Sequence, residues 1–144
     1  MDKIKMVEGI NITILLFQEK GGQETLLEKA LIQEGTSLFR VSYPDALAET
    51  IRNNHFDFIL VCHGRFSYKA LTFLKTNTLT KYTPLFYLYT DSKDGWNEIK
   101  NILSLCGTGP DDFLPITTLP DIISYKICTC LKRLEDERST NPLT

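Results

Sequence analysis

Three short runs constrain this chain most. Ile12-Thr13-Ile14-Leu15-Leu16-Phe17, Phe56 to Val61 and Leu85-Phe86-Tyr87-Leu88-Tyr89 are apolar almost without a break, and rich in β-branched and aromatic side chains. A strand with one wet face alternates apolar and polar residues. A run that does not alternate belongs to a strand covered on both faces. Such strands sit in parallel sheets flanked by helices, and the intervening segments have the periodicity to supply those helices.

After the first run, Gln18-Glu19-Lys20-Gly21-Gly22 reads as a turn. From Gln23 to Glu34, Leu26, Leu27, Ala30 and Leu31 recur at helical spacing, and Gly35 closes that helix as a cap. Leu38-Phe39-Arg40-Val41-Ser42 is a second, less apolar strand. Pro44-Asp45 then opens a helix with Ala46, Leu47, Thr50 and Ile51 on one side, ending near Asn53-Asn54. The third strand, Phe56 to Val61, is interrupted only by Asp57, and a helix with Ala70, Leu71, Phe73 and Leu74 follows. Pro84 marks entry to the fourth strand. Trp96, Ile99, Ile102 and Leu103 form the next helical stripe, broken at Gly107-Thr108-Gly109-Pro110. Phe113 to Ile116 is a short fifth strand, and Asp121 to about Arg138 a last helix. Five strand–helix units predict one α/β domain with a parallel sheet, helices on both faces and right-handed crossovers.

Composition removes several classes of function. With 144 residues the chain can bury a core without staples. Its net charge is -2 and its Lys and Arg are scattered, so no nucleic-acid partner is expected. The opening Met1-Asp2-Lys3-Ile4-Lys5-Met6 leads into no long uncharged apolar run, so neither a membrane span nor a signal peptide is expected, and the cytoplasm is the expected compartment. Cys62, Cys106, Cys128 and Cys130 have only His55 and His63 for company. In a helix Cys128 and Cys130 point about 200° apart, which does not suit a shared metal. Reduced, mostly buried thiols are expected, with no metal and no cofactor.

Three local patterns carry a family resemblance. Asp57-Phe58-Ile59-Leu60-Val61, Thr83-Pro84-Leu85-Phe86-Tyr87-Leu88 and Gly109-Pro110-Asp111-Asp112-Phe113-Leu114-Pro115 resemble the third strand, the fourth-strand entry and the Gly-Ala-Asp-Asp-Tyr/Phe-Leu stretch of response-regulator receiver domains. The likeness covers roughly residues 10 to 134, with the interval from Tyr89 to Asp111 a few residues longer than usual. It implies a flavodoxin-like, doubly wound five-stranded parallel sheet in the order 2-1-3-4-5.

The resemblance also implies where the chemistry should be. The acidic pair that holds Mg²⁺ falls on Gln18 and Glu19, the phosphoacceptor aspartate on Cys62, the hydroxyl residue on Tyr89 or Thr90, and the lysine on Ile116, with Thr117 for the following proline. Phosphoryl transfer needs hard oxygen ligands for the cation and a lysine against the phosphoryl group. Here the nucleophile and the lysine are gone and the cation site is halved. The expectation is a degenerate receiver that is not phosphorylated and is not an enzyme.

A second resemblance sits at the C-terminus. Leu131 to Arg138 is a charged helix, and Ser139-Thr140-Asn141-Pro142-Leu143-Thr144 resembles the opening of a GGDEF domain, the catalytic module of diguanylate cyclases. It implies a receiver-like domain over residues 1–134, with 135–144 the end of a connector and the start of a truncated output domain in the same full-length protein.

Sharper readings of single residues compete with plainer ones. Cys62 and His63 would make a poor nucleophile and base, because adjacent strand residues face opposite ways. Cys62 as the reporter of a ligand- or redox-sensing pocket remains an alternative. The loop Gln18 to Gly22 lacks the spaced glycines of a phosphate cradle. Asp111-Asp112 is expected to serve turn and cap chemistry, and Tyr82, Tyr87 and Tyr89 core packing, while Trp96 is a contact residue candidate. Ile123, Ile127, Cys130 and Leu134 recur at spacings of four, three and four. They read either as a short coiled-coil seam for a homodimer or as the face of a helix lying on its own domain.

Overall fold

The computed structural model describes residues 12–19, 36–90, 92–104 and 109–140, with side chains as far as residue 137. The helix expected over Gln23 to Glu34, its Gly35 cap, Lys20 to Gly22, Cys106, Gly107-Thr108 and Asn141 to Thr144 lie outside the described residues.

The strands are β1 (Thr13–Phe17), β2 (Ser37–Val41), β3 (Phe58–Cys62), β4 (Leu85–Tyr89) and β5 (Asp112–Pro115). They form one sheet in the order β2-β1-β3-β4-β5, and every pair is parallel. This is the doubly wound, flavodoxin-like arrangement that the apolar runs and the resemblance led us to expect. The continuously apolar β3 lies at the centre, and all five of its residues are buried. The edge strand β2, with its weaker pattern, buries only Val41.

Alternation along the strands divides the interior into two cores. Ile14, Leu16, Phe58, Leu60, Phe86 and Leu88 face one side, where Ile123 and Ile127 of the last helix cover them. Leu15, Phe17, Ile59, Val61, Leu85 and Tyr87 face the other. There they meet helix α1 (Leu47–Asn53) through Leu47 and Ile51, helix α2 (Ser67–Thr76) through Ala70, Leu71 and Leu74, and helix α3 (Lys93–Leu103) through Ile102. The last helix, α4 (Pro120–Thr140), is 21 residues long and starts on a proline. At the helix start proline lacks only an N–H that would be orphaned anyway. Each apolar side chain fully buried here contributes about 1.5–3 kcal/mol.

Two aspartates act alike at the opposite, N-terminal edge of the sheet. Asp57 precedes β3; its carboxylate accepts from Thr13 N at 2.9 Å and its own N–H donates to Thr13 O at 2.9 Å. Asp111 precedes β5; its carboxylate accepts from Leu85 N at 2.8 Å and its N–H donates to Leu85 O at 2.8 Å. Each therefore satisfies the first backbone donor of the neighbouring strand and fixes that pair's register. Asp112 caps its own turn by accepting from Phe113 N at 2.8 Å, and lies 3.4 Å from the Lys126 ammonium. The turn-and-cap role expected of Asp111 and Asp112 is what these contacts perform.

Candidate functional site

The carried-over positions all stand where strands end, so the topology brings them to one edge. Past the strands the ladder runs on briefly: Gln18 N donates to Val41 O at 3.0 Å, His63 N to Leu88 O at 2.8 Å and Ile116 N to Tyr89 O at 2.7 Å. Ligands of open parallel sheets bind at this carboxyl edge.

The side chains found there are poorly suited to phosphoryl chemistry. Cys62 is 1% exposed and belongs to the core under α4. Burial pushes its thiol from 9.0 up to about 12, with Arg40 pulling weakly the other way. Ile116 packs against the same apolar cluster. Gln18 is buried. The Glu19 carboxylate accepts from Phe66 N at 3.1 Å in the β3–α2 connection. Tyr89 is half-buried against the other core, with its ring centroid 6.0 Å from that of Trp96. The Thr90 hydroxyl lies 3.2 Å from that of Ser92, which caps α3 by accepting from Gly95 N at 3.1 Å. Trp96 is 53% exposed.

His63 does not approach Cys62 as a base would. Its Nδ1 lies 3.1 Å from the hydroxyl of Tyr87, which lies 3.0 Å from Ser67 Oγ. Ser67 Oγ is also 2.9 Å from Gly64 O, which can only accept, so the single serine proton is committed there. Tyr87 therefore donates to Ser67 and accepts from His63 Nδ1–H. Burial raises the Tyr87 phenol well above its ordinary value; the Ser67 hydrogen bond opposes this, and Glu98 adds to it. Sequence reasoning assigned Tyr87 to packing alone. The missed signal was a phenol in the middle of a buried strand, whose hydroxyl must find partners.

The first part of the helical seam lies on the domain's own sheet. Ile123 and Ile127 are buried in the domain's own core, Cys130 packs against it, and half-buried Leu134 lies over a cleft at the N-terminal edge. A spacing of four and three serves a sheet face as well as a partner helix, and here Ile123 and Ile127 cover the apolar face of β3 and β4. The residues α4 leaves outward are Ile122, 45% exposed, and Tyr125, 57% exposed. Cys128 and Cys130 are free thiols; burial raises Cys130, with Asp111 adding to the rise. Among the described residues no group of three His, Cys, Asp or Glu is arranged to hold a metal. No described helix is long and apolar enough to cross a membrane.

Several clefts open among the described residues, two of them at the edges of the sheet. One, of about 450 Å³, lies at the carboxyl edge between the β3–α2 connection and α3, lined by His63, Gly64, Arg65, Asp94, Glu98 and two asparagines. The other, of about 470 Å³, lies at the opposite edge between Leu79, Tyr82, Leu131 and Leu134. Neither is lined by Cys62, Glu19 or Ile116.

No protein-family model matches the chain, and no curated protein matches it. Solved structures do. The signal receiver domain of a Luxo repressor protein from Vibrio parahaemolyticus superposes with a TM-score of 0.68 at 16% identity, covering 90% of this chain and 96% of that one. A response regulator from Chloroflexus aurantiacus gives 0.69 at 20% identity, covering 86% and 100%. The receiver domain of the sensor histidine kinase PA1611 from Pseudomonas aeruginosa, which holds a magnesium ion in its active-site cleft, gives 0.70 at 17% identity, covering 85% and 99%. What this chain shares with them over nearly its whole length is the fold of a receiver domain.

Proposed function

We propose that this chain is a pseudo-receiver: a non-catalytic regulatory and protein-interaction domain of a signal-transduction protein, which takes no phosphate and acts on an output domain by association. The observation that carries this reading is the burial of Cys62 in an apolar cluster against which half-buried Ile116 packs. The positions of the nucleophile and of the lysine are side chains of one apolar cluster, with Leu88 and Leu114 between them in the sheet. Glu19, the remaining acid, is engaged with a backbone N–H.

The likeness to NtrX from Brucella abortus, which spans 92% of this chain and 29% of that one, supports a place within a larger regulator. The resemblance of Asn141-Pro142-Leu143-Thr144 to a GGDEF opening makes a diguanylate cyclase the output domain of this reading, in the cytoplasm. Association is assigned to the outer side of α4, where Ile122 and Tyr125 are exposed. The rival reading, redox sensing by Cys62, needs a thiolate, and burial of the thiol opposes it.

Intact-mass measurement after incubation with Mg²⁺ and acetyl phosphate tests the proposal. The expected result is an unchanged mass; a chain carrying one phosphoryl group would overturn it.

A further inference from the structure

Glu19 has a second peculiarity besides its bond to Phe66. Gly64 stands directly against its carboxylate: a Cβ built on Gly64 would collide with Oε2 and lie 2.8 Å from Cδ and 3.5 Å from Cγ. The glycine makes room for the acid, and the acid spans from the end of β1 to the connection between β3 and α2. That connection is also held from β4. His63 N donates to Leu88 O, and the Tyr87 hydroxyl joins His63 to Ser67. Within it Gly64 N donates to Ser67 Oγ at 3.3 Å and Ser67 N to Gly64 O at 3.4 Å. Phe66 N, the donor at the N-cap of α2, has no partner inside this loop and takes Glu19 instead. An anion at this end of a helix is favourably placed.

We infer that Glu19 and Gly64 form a resident latch: the carboxylate acts as a fixed internal anion that holds the β3–α2 connection in one conformation. The loop next to the old phosphorylation position is then set by the protein's own side chain, and the carboxyl edge presents a single state to whatever binds it. The inference stands apart from the proposed lack of phosphorylation. A domain that took phosphate could still carry the latch, and one that took none could lack it.

Amide exchange and a double-mutant cycle test it in the full chain. Loss of one charge-assisted, solvent-accessible hydrogen bond should speed exchange of the Phe66 amide roughly five- to tenfold in Glu19→Ala. Exchange of the Ile59 amide in β3 should not change. Glu19→Gln keeps an oxygen at the same reach and should fall between the two. Gly64→Ala should lower the urea midpoint of the wild-type protein and lower it less in Glu19→Ala, where the atoms it would strike are gone. Unchanged Phe66 exchange in Glu19→Ala would overturn the latch, as would an equal cost of Gly64→Ala in both backgrounds. A saturable Mg²⁺-dependent shift of the Phe66 amide would do the same, because the carboxylate would then be serving a cation.

Discussion

Giving Cys62 back the carboxylate that the receiver resemblance asks for should weaken this domain rather than activate it. The thiol is 1% exposed among apolar side chains, and its rise from 9.0 to about 12 corresponds to about 4 kcal/mol against an anion at that place. An aspartate starts from about 3.9 when unfolded, so the same surroundings would lift its folded value to roughly 7. Between those values the folded state of Cys62→Asp binds more protons than the unfolded state. Its stability therefore falls as pH rises from about 4 to about 7 and stays low above that. Relative to wild type, the charge contributes a deficit of about 1–2 kcal/mol at pH 5 and about 4 kcal/mol at pH 8. Even the protonated acid adds roughly 1–3 kcal/mol at both pH values where its polar atoms lack partners. Against a total stability of about 5–15 kcal/mol the loss is large. Urea unfolding of wild type, Cys62→Asp and Cys62→Ala at pH 5 and pH 8 reads it directly. With a slope of about 1–3 kcal/mol per molar urea, the change between the two pH values moves the midpoint by about 1 M or more. Cys62→Ala should show a cavity cost that does not depend on pH. An equal deficit for Cys62→Asp at both pH values would refute the reasoning. So would a stable variant that accepts phosphate from acetyl phosphate.

Other consequences follow from single contacts. Gly95→Ala, in the first turn of α3, should destabilise by about 1–3 kcal/mol. The new methyl would meet the Thr90 carbonyl oxygen, and thermal unfolding reports the sign. Tyr87→Phe should cost about 1–3 kcal/mol, because His63 Nδ1–H and Ser67 lose their shared partner, and should shift the His63 ring signals in NMR. Ile122→Glu combined with Tyr125→Glu should abolish any self-association seen by sedimentation at high concentration while leaving the unfolding midpoint nearly unchanged. Leu134→Glu, at a half-buried position, should lower stability.

The fold was legible because its signal is repeated and redundant. The three central strands have no polar alternation, and α1, α2 and α4 turn Leu47, Ile51, Leu71, Leu74, Ile123 and Ile127 to the sheet, whereas α3 gives it only Ile102. A misread residue or two would not change the order. β2 was the hardest strand to read, and the structure shows why: at the sheet edge only Val41 is buried, so few of its positions call for an apolar side chain. The seam on α4 was ambiguous for a physical reason as well. Heptad spacing and the stripe of a helix on a sheet coincide over two turns, and only the position of β3 and β4 decides between them.

The site was legible as a set of positions, because strand ends converge whatever occupies them. It was not legible as a set of contacts. That Glu19 reaches Phe66 depends on a glycine 45 residues later, and that Tyr87 needs Ser67 and His63 depends on how a loop returns to β4. Neither has a sequence period. The two kinds of position also differ in what the fold demands of them. Asp57 and Asp111 close backbone hydrogen bonds at the entry to strands, and removing either leaves a neighbouring strand's donor without its partner. A phosphorylation pocket imposes the opposite demand, since clustered carboxylates and a buried lysine cost stability wherever they are not occupied. Cys62 and Ile116 make no such demand, since the first is buried in the core and the second packs against it. The strand-entry aspartates serve the hydrogen bonding of the sheet, and their presence argues for the fold alone. Only the residues at the carboxyl ends of the strands bear on whether the fold receives a phosphate, and here Cys62 is buried in the apolar interior, Ile116 packs against it and Glu19 accepts from Phe66 N.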